Sequence, residues 1–180
     1  MASYLYHTRL ALHFDETAKQ DVVVLAGFGR FAQTILEILL SEAASELDQV
    51  VIVDPDASAQ LRQFGATVAH HRVQITALDL EVTDPPTWDV VESALQSGKA
   101  TPVYVLCGAD VVVNLRTAML LRRRSEKPKI FVRCFHRSPF ATSLAEQQSF
   151  DLLAFETVLR EALREHYHEF FRSRPRDPSP

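Results

Sequence analysis

The chain has 180 residues, of which 47% are hydrophobic and 23% charged, with a formal net charge of −4. That describes one globular domain long enough for a sizeable core, with a charge balance that argues against wholesale nucleic-acid binding. Its purely apolar runs reach about five residues, too short to cross a bilayer, and Met1–Arg9 lacks the continuous apolar stretch of a signal peptide.

The elements follow in chain order. Residues 4–15 form a lead-in in which Leu10, Leu12 and Phe14 alternate with Ala11 and His13, a strand-like period suited to an extra edge strand or to packing outside the fold. Val22–Ala26 is an apolar, β-branched strand. Gly27, Phe28 and Gly29 then turn the chain into a helix over Arg30–Ser45, whose Phe31, Ile35, Leu36, Ile38, Leu39 and Ala43 share one side. A second strand at Val50–Val53 ends on Asp54 and is followed by a short helix from Asp56 to Phe64. The spacing places a third strand near Thr67–His70 and leaves Val73–Val82 open between a strand extension, a hairpin and a loop. Asp84-Pro85-Pro86 opens a third helix, Pro102–Cys107 is a fourth strand, and Asp110 caps the helix after it. Lys129–Cys134 is the fifth strand, Ser138-Pro139 opens a helix to about Gln148, and Phe150–Phe155 is the sixth strand. A last amphipathic helix spans Glu156–Phe171, and Arg172–Pro180 reads as a disordered tail.

Strands alternating with helices imply an α/β fold with a parallel sheet covered on both faces. The glycine turn gives that fold a chemistry. In Gly27-x-Gly29-x-x-Ala32 the first glycine takes the tight turn and the second admits a pyrophosphate to the backbone. The alanine keeps the helix close to its strand, and the helix N-terminus faces the phosphates. Asp54, 22 residues after Ala32, stands where a dinucleotide-binding unit places the acid that accepts from a ribose diol. A carboxylate there also disfavours the 2′-phosphate of NADP. The alternative role for Asp54 is to cap the turn containing Pro55 and Asp56.

Other chemically capable residues point elsewhere. The two cysteines, Cys107 and Cys134, each close a buried strand and suit a reducing compartment without disulfides. The seven histidines show no metal-ligand spacing. Arg122-Arg123-Arg124 closes a helix, where cations suit the dipole, and reads as a solvated helix end. An NAD-dependent oxidoreductase would need a proton donor or acceptor beside the nicotinamide, and only His136, next to Arg137, offers one.

From Asp21 to Phe171 the chain resembles the RCK (regulator of potassium conductance, TrkA-N) domains, most of all those attached to potassium–proton antiporters. The resemblance is carried by Gly27-Phe-Gly-Arg-Phe-Ala-Gln33, Arg62-Gln-Phe-Gly65, Thr83-Asp-Pro85, Asn114-Leu115 with Ala118, and Pro128-Lys-Ile with Arg133. It implies a Rossmann-like, doubly wound parallel sheet of six strands with helices on both faces, plus a C-terminal dimerisation helix at Glu156–Phe171. It implies further a cytoplasmic sensor of NAD(H), or of AMP, ADP or ATP, that gates a potassium channel or cation transporter at the inner face of the membrane. The residues it assigns to the nucleotide are Gly27, Phe28, Gly29, Arg30, Phe31, Ala32, Asp54, Pro55, Glu81, Cys107 and Gly108, with no catalytic or metal-binding residue. Arg30 would neutralise phosphate. Glu81 takes the place of the acid that normally lies beside the adenine, Leu80 stands where that motif has glycine, and Asp79 is close by. The family's second regulatory domain has no counterpart after Phe171, which implies a small lone regulator or a segment of a larger transporter.

Overall fold

The computed structural model of the chain describes residues 21–42, 44, 47–65, 73–95 and 101–154. Among these residues it forms six strands and five helices: β1 (Asp21–Ala26), α1 (Arg30–Glu42), β2 (Leu47–Asp54), α2 (Ala57–Phe64), β3 (Gln74–Asp79), α3 (Pro85–Ala94), β4 (Val103–Leu106), α4 (Val111–Arg124), β5 (Lys129–Cys134), α5 (Pro139–Gln148) and β6 (Asp151–Ala154). All strand pairs are parallel, and the sheet order is β3-β2-β1-β4-β5-β6. The chain is therefore a Rossmann-like α/β protein.

The central strands are buried on both faces, which is why they read as unbroken apolar runs rather than alternations. Val23, Val24 and Leu25 of β1 and Val50–Val53 of β2 are fully enclosed. Alternate residues along each strand feed two separate cores. Val23, Leu25, Val50, Ile52 and Val105 pack with Ile35, Leu36 and Leu39 of α1 and Ala57 of α2. On the other face, Val24, Val51, Tyr104, Leu106 and Ile130 pack with Trp88 and Val91 of α3, Leu115 and Leu121 of α4, and Ala141 and Ala145 of α5. Trp88 is completely buried and meets Tyr104 edge to face, ring centroids 5.9 Å apart.

Helix starts obey local chemistry. Asp110 Oδ1 accepts from the amides of Val112 (2.8 Å) and Val113 (3.3 Å), and Ser138 Oγ accepts from Ala141 (3.1 Å), so both expected caps form. The arginine run at the end of α4 differs from the expectation of a solvated end. Half-buried Arg122 donates to the carbonyls of Gln148, Ser149 and Glu126 and so closes the end of α5. Arg124 pairs with Asp89 and Glu92 of α3, which raises the pKa of its guanidinium still further. Both reach residues remote in sequence, which charge spacing along one helix does not reveal.

The third strand also needs correction. The strand that pairs with β2 is Gln74–Asp79, inside the stretch whose character the pattern left open, while Thr67–His70 lies outside the described residues. As the edge of the sheet, β3 is only half-buried, and its Gln-Ile-Thr-Ala-Leu-Asp sequence carries neither a continuous apolar run nor a clean alternation. The lead-in before Asp21, the helix expected at Glu156–Phe171 and the tail after it lie outside the described residues as well. No helix among the described residues is long and apolar enough to cross a membrane.

Candidate functional site

The strand order reverses between β1 and β4, and in open parallel sheets that reversal leaves a crevice beyond the carboxyl ends of the two strands. The loops on either side are Gly27–Gly29 and Cys107–Asp110. Each is anchored to the neighbouring strand: Gly27 N donates to Val53 O of β2 (2.8 Å) and Cys107 N to Ala26 O of β1 (2.7 Å).

The two glycines of the first loop are glycine for different reasons. Gly27 has φ +85°, and a Cβ there would stand 3.0 Å from the Gly108 amide nitrogen. Both its conformation and its neighbour exclude a side chain. At Gly29 a Cβ would meet nothing within 4 Å, and the residue is exposed. No neighbouring protein atom demands glycine at this position. The ladder of α1 begins with Gln33 N donating to Gly29 O (3.1 Å), so the amides just ahead have no acceptor in their own helix.

Asp54 is bound into this loop. Its Oδ2 accepts from the Phe28 amide (2.8 Å), while Oδ1 accepts from the Asp56 amide (3.0 Å) and from Gln60 Nε2 of α2 (2.9 Å). It thus caps the turn and stands beside the glycine loop at once. Asp79, its register partner on β3, accepts from the Ser58 amide (2.7 Å). That bond, reinforced by the Ser58 hydroxyl and the charge of Arg62, holds the exposed Asp79 carboxyl below its ordinary value. Both acids thereby fill the N-terminus of α2.

The remaining candidates divide by depth. Phe28 is fully buried, edge to face with Phe64 at 6.1 Å, and its backbone alone borders the crevice. Ala32 is buried under α1, whereas Arg30 and Pro55 are exposed. Glu81 is exposed two residues beyond the end of β3, and its carbonyl accepts from Thr87 Oγ1 (2.7 Å). The acid level with Asp54 in the sheet is Asp79. Cys107 is buried, and burial pushes its thiol up despite the opposing charge of Arg133.

Asn114 and Arg133, noted in the sequence only as motif residues, stand at the crevice, which their spacing alone did not reveal. Arg133 Nη1 donates to Cys107 O (3.0 Å), and its guanidinium lies 4.7 Å from the centre of the Phe31 ring. Asn114, 2% exposed, donates through Nδ2 to the carbonyls of Gly108 (2.8 Å) and Arg133 (3.0 Å). A side chain on Gly108 would strike Asn114 Oδ1 at 2.7 Å. The loop after β4 and the end of β5 are therefore tied by one buried amide, and Arg133 extends that tie to the first turn of α1. A cavity of about 230 Å³ lined by Ala109, Arg133, Cys134 and Phe135 opens beside them. A larger, mainly apolar groove of about 660 Å³ runs between α4 and α5, where Val112, Phe135 and Phe140 stand exposed.

No protein-family model matches the chain, and no curated protein matches it in sequence. The topology and the crevice define its class: a doubly wound α/β protein with a glycine loop and an acid meeting at the point where the strand order reverses.

Proposed function

We propose that this chain is a regulatory domain that senses a nucleotide, NAD(H) first and AMP, ADP or ATP as alternatives, in the crevice beyond β1 and β4. The observation that carries this reading is Gly29: an exposed glycine at the start of α1, with open space where its side chain would be and Asp54 bonded to the residue before it. A phosphate approaching there meets backbone amides and the positive end of α1, with Arg30 exposed beside it. Asp54 then serves the ribose and selects against a 2′-phosphate.

The controlled partner, a potassium channel or cation transporter reached from the cytoplasm, is supported by the resemblance of Gly27–Gln33 and the further motifs to RCK domains. The same resemblance supports a homodimer paired through Glu156–Phe171. The apolar groove between α4 and α5 favours that arrangement, because β6 ends at the carboxyl edge of the sheet, as do the loops at the mouth of the groove. An NAD-dependent oxidoreductase is the weaker reading. The cavity beside Arg133 is lined by one cation, two small or apolar residues and Cys134, whose thiol burial pushes up and so keeps protonated.

Calorimetry with NADH, NAD, NADP, AMP and ATP tests the proposal. Wild-type protein is expected to bind at least one of the four nucleotides without a 2′-phosphate in preference to NADP, and Gly29→Val to lose that binding while keeping its melting temperature. Unchanged affinity in Gly29→Val, or binding of none of the five, overturns it.

A further inference from the structure

Resting on the nucleotide reading, the bonding around Asp54 carries the recognition one step further. A carboxylate oxygen offers two acceptor directions. Asp54 Oδ1 has both filled, by the Asp56 amide at 3.0 Å and Gln60 Nε2 at 2.9 Å. Oδ2 has one filled, by the Phe28 amide at 2.8 Å. One direction is left, whereas a ribose presents two adjacent hydroxyl donors. The carboxylate cannot take both without surrendering a bond that shapes the loop or the turn.

The second acceptor is already in place. A carboxylate accepts only, so the Gln60 amide must turn Nε2 toward it, and the oxygen of the same amide, Oε1, has no hydrogen-bond partner among the described residues. Gln60 is half-buried in the first turn of α2, and its bond to Asp54 holds the side-chain amide next to the carboxylate. We infer that Asp54 Oδ2 and Gln60 Oε1 form a two-residue clamp for a vicinal diol, each taking one hydroxyl of the adenosine ribose. Gln60 is then a specificity-determining residue. It accepts a donor hydroxyl, and replacing that hydroxyl by hydrogen leaves Oε1 unpaired.

The test pairs a side chain with a hydroxyl. AMP, 2′-deoxyAMP and 3′-deoxyAMP are titrated into the wild type, into Gln60→Met, which keeps length and helix preference but removes the acceptor, and into Asp54→Asn. A neutral hydrogen bond corresponds to about three- to tenfold in affinity. The wild type is expected to lose about that factor for the analogue lacking the hydroxyl on Gln60, and about ten- to hundredfold for the one lacking the hydroxyl on the charged Asp54. Gln60→Met should bind AMP more weakly and abolish the penalty for one analogue while keeping the other. Asp54→Asn should diminish the penalty that Gln60→Met keeps. Melting curves confirm that each variant is folded, and Gln60→Ala, with no side chain to misplace, must reproduce the pattern of Gln60→Met. If both penalties survive undiminished in Gln60→Met, the clamp is wrong while nucleotide binding stands. If NAD(H) binds the wild type but AMP does not, the clamp for the adenosine ribose falls alone; if none of the five nucleotides binds, both fall together.

Discussion

The two halves of the sheet meet the crevice in opposite styles. On the β1–β3 side the carboxyl edge is polar and internally bonded: Asp54 joins the glycine loop to α2, and Asp79 closes the same helix start. On the β4–β6 side the loop after β4 is drawn to the end of β5 by one buried amide, Asn114, and the helices beyond them leave an apolar groove with Phe135 and Phe140 more than 70% exposed. The first half ties its loop, strand ends and helix start together through carboxylate hydrogen bonds. The second half presents surface of a kind that proteins cover with another polypeptide. One fold thus carries two kinds of surface on either side of a single reversal of strand order.

The sharpest way to break that comparison is at Gly27. An alanine there must hold φ near +85° with its Cβ against Gly108, so Gly27→Ala should lose about 2–4 kcal/mol in urea unfolding. Gly29→Ala should change stability by no more than about 0.5 kcal/mol. Equal losses would mean that both glycines serve the fold alone. Asn114→Ala comes next, because it strips a donor from the carbonyls of Gly108 and Arg133. It should cost about 2–3 kcal/mol by the same measurement, and a loss below about 1 kcal/mol would show that water replaces the amide.

Tyr104, under α3, reports on the core beneath both halves. Burial first, and the charge of Glu92 second, push its phenol from 10 up to about 12, with Arg124 opposing. The folded state therefore holds the proton more tightly than the unfolded chain. The stabilisation is complete below pH 10 and declines as pH rises toward 12. Tyr104→Phe should spare up to about 1.4 kcal/mol of that alkaline decline by pH 11, measured as urea midpoints at pH 8, 10 and 11. The buried Cys107 thiol acts in the same direction from pH 9 and will remain in the variant. An identical pH profile for both proteins would show that the phenol is not held protonated.

The smallest effect on stability is expected at the groove. Phe140 is 71% exposed, so Phe140→Ser should shift unfolding by no more than about 0.5 kcal/mol. Sedimentation velocity at micromolar concentration should nevertheless show a weaker dimer, as should a Leu163→Glu, Phe170→Glu double variant. A monomeric wild type removes the homodimer, and a large stability loss in Phe140→Ser would place that ring against the chain's own residues.

Legibility in the sequence followed the range of the forces involved. The buried strands β1, β2, β4 and β5 were readable because burial on both faces demands apolar runs, and the caps at Asp110 and Ser138 because their partners lie two or three residues away. The edge strand β3 fell in the stretch the pattern left open, because half-burial leaves no strong signal. At the site, the glycine turn and Asp54 were visible in spacing alone. Gln60 was not, because its role depends on how α2 docks beside β2. Nor was the stacking of Arg133 on Phe31, a contact across the width of the crevice.

The closeness of Gly27 to Gly108 also bears on how such a molecule can move. With the two loops in backbone contact and each anchored to the neighbouring strand, the middle of the crevice behaves as a rivet rather than a hinge. The distance between the two halves is fixed there, and a ligand cannot pull them together by closing over itself. Displacement has to arise at the periphery, where the edge strands and outer helices have fewer ties, and it would reach a neighbouring protein as a tilt about that fixed point.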